Sequence, residues 1–131
     1  MASRSLEDLD PVLRKLCVRH RDACAVLGID LLIYCTYRSN AEQAELHTYG
    51  RTVPGRIRTY AKPGESNHNI TRNGIPAARA YDCVPVRQGK AIWDNDDPGW
   101  EIVGEEGEKL GLSWAGRWVR FREFPHFELK R

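Results

Sequence analysis

Apolar and polar positions change period several times along the chain, and each change marks an element. Asp10 followed by Pro11 reads as an N-cap and a first helical position. Leu13, Leu16, Cys17, His20, Cys24 and Leu27 then recur at helical spacing, and Gly28 stops the run. Ile29 to Thr36 is rich in branched and aromatic residues and predicts a strand. Ser39 and Glu42 stand at capping-box spacing and open a short helix over about residues 40–49. Arg38 therefore falls at a strand-to-helix junction, where loops present functional groups. Gly50 to Pro76 has no periodicity and is punctuated by Gly50, Pro54, Gly55, Pro63, Gly64 and Gly74. A stretch this long in a small domain is either disordered or functional. Arg79 to Val86 predicts a second strand, Asp97 and Pro98 start a helix that closes near Gly111, and Leu112–Trp114 and Pro125–Leu129 complete the strands. The expected class is α+β: one domain over residues 1–131, with helices packed on a small, mostly antiparallel sheet.

Composition narrows the classes. A chain of 131 residues, 41% apolar and 29% charged, is globular and long enough for its own core. Its apolar runs, of which none is longer than Leu31 to Cys35, are far too short to span a bilayer, so no membrane insertion is expected. The segment Met1 to Asp8 has no apolar centre, so no secretory signal is read. The net charge of +2 argues against a dedicated nucleic-acid binder. That small sum hides an uneven distribution. Asp94 to Glu108 carries acids and no base, which reads as a solvated helix face. Arg51, Arg56, Arg58, Lys62 and Arg72 lie in the long loop with Glu65 as their acidic neighbour. They read either as solvated charge or as docking for anionic groups. Cys17, Cys24, Cys35 and Cys83 form no Cys-x-x-Cys pair, and Cys17 and Cys24 sit about 10 Å apart along one helix, so free thiols are expected.

Of four histidines, His20 lies on the apolar stripe and His47 within a helix, and both read as structural or surface residues. His68 closes the long loop, and His126 lies near the chain end in Glu123-Phe124-Pro125-His126-Phe127-Glu128. Asp82 interrupts an apolar strand, where a carboxylate is costly unless paired or bound to a metal. Two imidazoles and a carboxylate match catalytic zinc with an open fourth position. Glu123 could act as general base if Pro125 breaks the ladder and puts it on a bend. Taken singly, each of these residues reads first as an ordinary hydrogen-bonded polar group.

Together with their neighbours they form a signature. Ser66-Asn67-His68, Ala80-Tyr81-Asp82 and Pro125-His126-Phe127-Glu128 resemble the motifs of the VanY-type D-alanyl-D-alanine carboxypeptidase and L-alanyl-D-glutamate endopeptidase family of zinc peptidases, which includes phage endolysins. Tyr37-Arg38-Ser39 with Glu42-Gln43-Ala44-Glu45-Leu46, Gly50-Arg51-Thr52, Pro54-Gly55, Leu110-Gly111-Leu112 and Trp114-Ala115-Gly116-Arg117-Trp118 also fit. The resemblance covers about residues 29–129. It implies one zinc ion held by His68, Asp82 and His126, with Glu123 as base and acid. It also implies that Arg38 binds a substrate carboxylate or the oxyanion, and that Ser66 contacts substrate or supports the site. The 13 residues between His68 and Asp82 exceed the family's usual gap. Asn73-Gly74 marks the excess as an inserted hairpin tip, and a register change there would instead unseat Asp82.

The expected activity is zinc-dependent cleavage of the peptidoglycan stem peptide between L-alanine and D-glutamate. The expected setting is a monomeric phage endolysin held in the host cytoplasm until lysis and then acting at the wall. Release of terminal D-alanine and a non-catalytic zinc-containing wall-binding module are the alternatives. A Cys83–His126 nucleophile is weaker, because Cys83 follows Asp82 in a strand and not at a helix N-terminus. A Ser66/His68/Asp82 triad is weaker still, since strand positions two apart make no nucleophile elbow.

Overall fold

A computed structural model describes residues 1–130. The first helix, α1 (Pro11–Val26), starts where predicted: Asp10 accepts from the Val12 amide at 2.9 Å, and Pro11 needs no partner for its nitrogen. Strand β1 (Asp30–Cys35) follows, then α2 (Asn40–Thr48) behind a complete Ser39/Glu42 capping box. The long loop is not structureless throughout. It contains a 3-10 turn at Asn67–Asn69 and a two-stranded hairpin, β2 (Thr71–Arg72) and β3 (Ile75–Pro76). Asn73 and Gly74 both have positive φ, 54° and 75°, as a tight hairpin requires. The Ala77 amide donates to the Ile70 carbonyl at 2.9 Å, so the inserted tip closes on itself and the chain resumes its course. Then come β4 (Ala80–Arg87), β5 (Lys90–Ala91), α3 (Gly99–Lys109), β6 (Leu112–Trp114) and β7 (His126–Leu129).

The main sheet runs β1-β4-β7-β6, with β5 added beside β4, and every pairing is antiparallel. This is the α+β class that the hydrophobic pattern predicts. Strand alternation divides the sheet into two faces. Tyr81, Cys83 and Phe127 enter the core with Leu13, Cys17 and Cys24 of α1 and Val103 of α3. Asp82 and His126, directly paired across β4 and β7, take the other face. Helix α3 lies unusually close to the sheet. A Cβ on Gly104 would fall 2.3 Å from the Trp114 ring, and one on Gly107 2.6 Å from Phe127.

The core carries one buried imidazole. His20 Nε2–H donates to the Val103 carbonyl at 2.8 Å, and Nδ1 accepts from the Tyr81 hydroxyl at 2.6 Å. The structural reading of His20 therefore matches its surroundings. All four cysteines are buried free thiols.

Candidate active site

The site begins with an irregularity in β1. Ile33 pairs with Cys83, yet Cys35 pairs with Asp82, so Tyr34 is an extra residue on that strand. Such a bulge re-aims the side chains beyond it. Here it brings the Cys35 thiol beside His68 and Asp82, with Sγ 3.7 Å from His68 Nδ1. No sequence signal announced the bulge.

His68 reaches the same place from the 3-10 turn. Ser66 caps that turn by accepting from the His68 amide at 3.1 Å, and the Arg38 amide donates to the His68 carbonyl at 2.9 Å. Ser66 and His68 thus lie on a turn, which corrects the strand assumed for them in the triad reading. Ser66 lines the cleft and holds the His68 turn.

The ring nitrogens divide their roles. His68 Nδ1–H donates to the Thr36 carbonyl at 2.8 Å, leaving Nε2 to face Asp82 Oδ1 at 3.2 Å. His126 Nε2–H donates to Glu128 at 2.7 Å, leaving Nδ1 to face the same Asp82 oxygen at 3.1 Å. Glu128 accepts in turn from the Asn67 side-chain Nδ2 at 2.7 Å. Two lone-pair nitrogens and a carboxylate oxygen therefore converge, and such a set is stable only around positive charge. Burial works against charge on His68, but the facing Asp82 carboxylate outweighs it and lifts the imidazole to about 10. Burial likewise opposes charge on His126, while Asp82 and Glu128 raise it to about 9. Asp82 feels burial in the opposite sense, and the two imidazoles hold it below the usual carboxylate range. A divalent cation meets the same demand with one charge centre, and nitrogen with carboxylate oxygen is a donor set that zinc accepts. The residues fit the metal.

Asp82 belongs to two groups whose ligand atoms all lie within 4.8 Å of one another: Cys35–His68–Asp82 and Asp82–Glu123–His126. The predicted trio takes one histidine from each and meets through Asp82. The inserted hairpin has left the Asp82 register intact.

Glu123 stands before the Phe124–Pro125 turn, off the strand as predicted, with Oε2 3.9 Å from His126 Nδ1. Its carboxyl is raised above the ordinary glutamate value, first by burial and further by the Asp82 charge, although His126 opposes this. It remains 34% exposed, so solvent and substrate can reach it. Arg38 lies across from it. Nη1 donates to Gln43 Oε1 at 2.9 Å, Nη2 to Cys35 Sγ at 3.5 Å, and Nη2 is 3.8 Å from Asp82 Oδ2. Gln43 is fully buried and aims the guanidinium.

Cys83 points away into the core, where burial pushes its thiol well above the ordinary value. It does not face His126, and the nucleophile reading for it fails. The basic loop set also divides. Arg51 donates to the His47 and Thr59 carbonyls, and Arg72 pairs with Asp10 on the far side. Arg56 and Arg58 line the cleft, as do Arg120 and Arg122, which the sequence reading did not single out. Glu128 was legible in principle, being two residues beyond His126 on a strand and hence on its face.

With this geometry, three comparisons bear on the chain. The sequence model of the D-alanyl-D-alanine carboxypeptidase family matches residues 59–129. The peptidoglycan L-alanyl-D-glutamate endopeptidase CwlK of Bacillus subtilis (strain 168) is 38% identical over an alignment 130 residues long that takes in 93% of this chain and 74% of that protein. The crystal structure of the Serratia marcescens L-Ala D-Glu endopeptidase ChiX superposes with a TM-score of 0.65 at 20% identity, over 99% of this chain and 89% of that one. At that identity the likeness speaks for the fold.

Proposed function

We infer function from one premise: this chain belongs to the D-alanyl-D-alanine carboxypeptidase family. The reading that the site supports best is a zinc-dependent peptidoglycan peptidase cutting the stem peptide between L-alanine and D-glutamate. The observation that carries it is the convergence of His68 Nε2 and His126 Nδ1 on Asp82 Oδ1, with Glu123 beside them. His68, Asp82 and His126 would hold the zinc. When bound there, zinc supplies a Lewis acid that polarises the scissile carbonyl and acidifies water to a pKa of about 7.

Glu123 takes the proton of the attacking water on a carboxylate oxygen and returns it to the departing amine. Burial raises its affinity for protons above that of an ordinary glutamate, the direction that a proton acceptor and donor needs. Arg38, fixed by Gln43, offers a cation to the developing oxyanion or to a substrate carboxylate. Glu128 fixes the His126 tautomer and ring orientation through Nε2–H.

Choice of the L-alanyl-D-glutamate bond draws its support from the 38% identical relative that is named for that cleavage. The family's description favours release of terminal D-alanine as the second reading. Purified peptidoglycan digested by the protein and analysed by mass spectrometry separates them. New N-terminal D-glutamate is the expected product; free D-alanine would overturn the endopeptidase reading, and an unchanged wall the enzyme reading. We place the protein, as a monomer, in the lysis of phage-infected cells on the strength of its resemblance to the family's endolysins. Cells producing it should lyse only when the inner membrane is permeabilised, and lysis without permeabilisation would count against that setting.

A further inference from the structure

The catalytic cluster occupies the floor of a cleft of about 930 Å³ whose walls are arginine-rich. Arg56 and Arg58 line it from the loop after α2, and Arg120 and Arg122 from the loop after β6. Among the described residues, the arginines with a carboxylate partner are Arg14, Arg38, Arg72, Arg79, Arg87 and Arg117. None of the four wall arginines is in that set. Of the four acids of the cleft, Asp82 lies between two imidazoles, Glu128 is bonded to His126 and Asn67, Glu65 accepts from the Lys62 amide, and Glu123 stands 3.9 Å from His126. With Arg38, five guanidiniums line the cleft against four carboxylates, and of these Asp82 and Glu128 are already bonded to imidazoles.

The walls are built, not merely solvated. Buried Gln43 donates to the Thr59 hydroxyl and the Ala61 carbonyl, and Arg51 donates to the Thr59 carbonyl, so the first loop is pinned just beyond Arg56 and Arg58. Gly50, at φ 79°, lets the same loop close on Ile57, which would lie 2.7 Å from a Cβ at that position. The Arg58 guanidinium stacks on Tyr49 at 4.0 Å. On the opposite wall Arg122 donates to the Gly116 carbonyl and lies over Phe124. Tyr60 and Phe121 meet edge to face at 4.8 Å and join the two walls. Arg58 and Arg122 are thus held in place while Arg56 and Arg120 are exposed beside them, and like charges gathered on one cleft raise its affinity for anions.

We propose that these arginine walls read carboxylates on the substrate, so that the enzyme prefers stem peptides whose D-glutamate carboxyl is free over those in which it is amidated. The inference rests on the peptidase reading and adds a substrate class to it. D-Glutamate joined to the next residue through its side-chain carboxyl keeps its α-carboxylate. Amidation removes that charge while leaving the scissile bond and nearly the same volume. An arginine fork meets a carboxylate with two parallel N–H···O bonds. A carboxamide offers one acceptor and turns an NH2 group against the donors.

The test is steady-state cleavage of two synthetic stem peptides, free acid and amide, by the zinc-loaded enzyme. The variants are Arg56→Gln, Arg120→Gln and the double substitution. Neither side chain makes a hydrogen bond to a described residue that its loss would break. Arg19→Gln, on the exposed side of α1, controls for total charge. KM for the acid peptide should rise about threefold per substitution and about tenfold in the double variant, as exposed charge contacts allow. Its kcat should hardly change, and KM for the amide should move less than about twofold. The unaltered enzyme should favour the acid, by a margin that shrinks as salt rises. Equal losses on both peptides, or no preference in the unaltered enzyme, would overturn the proposal while leaving the peptidase intact. A preference seen only on whole walls carrying phosphate polymers would also overturn it, in favour of phosphate docking. If the unaltered enzyme cleaves neither peptide, the peptidase reading fails and this inference fails with it.

Discussion

Single side chains at the site differ in what their loss should reveal. Glu123 is the one carboxylate beside the histidines that has no bonded partner of its own, and its raised proton affinity suits proton transfer. Glu123→Gln keeps the shape and removes the proton acceptor. It should lower kcat by about 10²–10⁴-fold with zinc content and Tm near those of the parent, and near-normal turnover would remove Glu123 from the base role. Glu128 acts one layer out, through His126 and Asn67. Glu128→Ala should weaken zinc binding by about 10–100-fold in competition with a chromogenic chelator, and activity should recover at excess zinc. Cys35 shows why such residues are hard to find by reading the chain. Its neighbours in sequence are strand residues, and it reaches the site only because Tyr34 is an extra residue in the ladder.

At the level of elements, the decisive contact is α3 against the sheet. Gly104 has no room for a methyl group, since the Trp114 ring lies 2.3 Å from where it would sit. Trp114 is held by its indole N–H to the Phe124 carbonyl at 2.8 Å, beside the turn that carries Glu123. Gly104→Ala should gain about 1 kcal/mol in helix propensity and lose about 1–3 kcal/mol to overpacking. We expect a net fall in Tm together with a larger loss of activity than of zinc, and a raised Tm would show that the ring yields freely. Most element boundaries were legible because they follow from local rules. Asp10-Pro11 starts α1, Ser39 with Glu42 starts α2, and Asn73-Gly74 turns the inserted hairpin. The bulge in β1 and the 3-10 turn at His68 were not legible, because each is stabilised by partners far away in sequence, such as the Thr36 and Arg38 backbone bonded to His68.

For the whole molecule, three separate stretches meet at one largely buried acid. β4 supplies Asp82, β7 supplies His126 and Glu128, and the loop before the hairpin supplies His68. Without a cation, burial must be offset by protons on two imidazoles packed against one carboxylate. A metal that binds only the folded chain stabilises it by mass action. Chelation should therefore lower Tm as well as abolish activity, with both restored by zinc; full activity after verified zinc removal would sink the metal mechanism. The net charge of +2 says nothing of this arrangement. It averages an arginine-walled cleft with an acidic α3 whose Glu101 and Glu108 are partly answered by Arg117 on the outer surface.

The sequence by itself determined the class of fold, the places where elements begin and end, and the types of side chain able to do chemistry. Those depend on periodicity, caps and turn residues, which act over a few positions. Only the tertiary structure decided that His68 and His126 share Asp82, that Cys35 joins them, and that Arg56 and Arg120 line one cleft while Arg72 does not. Those outcomes depend on strand register and on loops pinned by residues tens of positions away. A one-residue change in register would turn Asp82 to the other face of its strand, and no local pattern records which partner holds it in place.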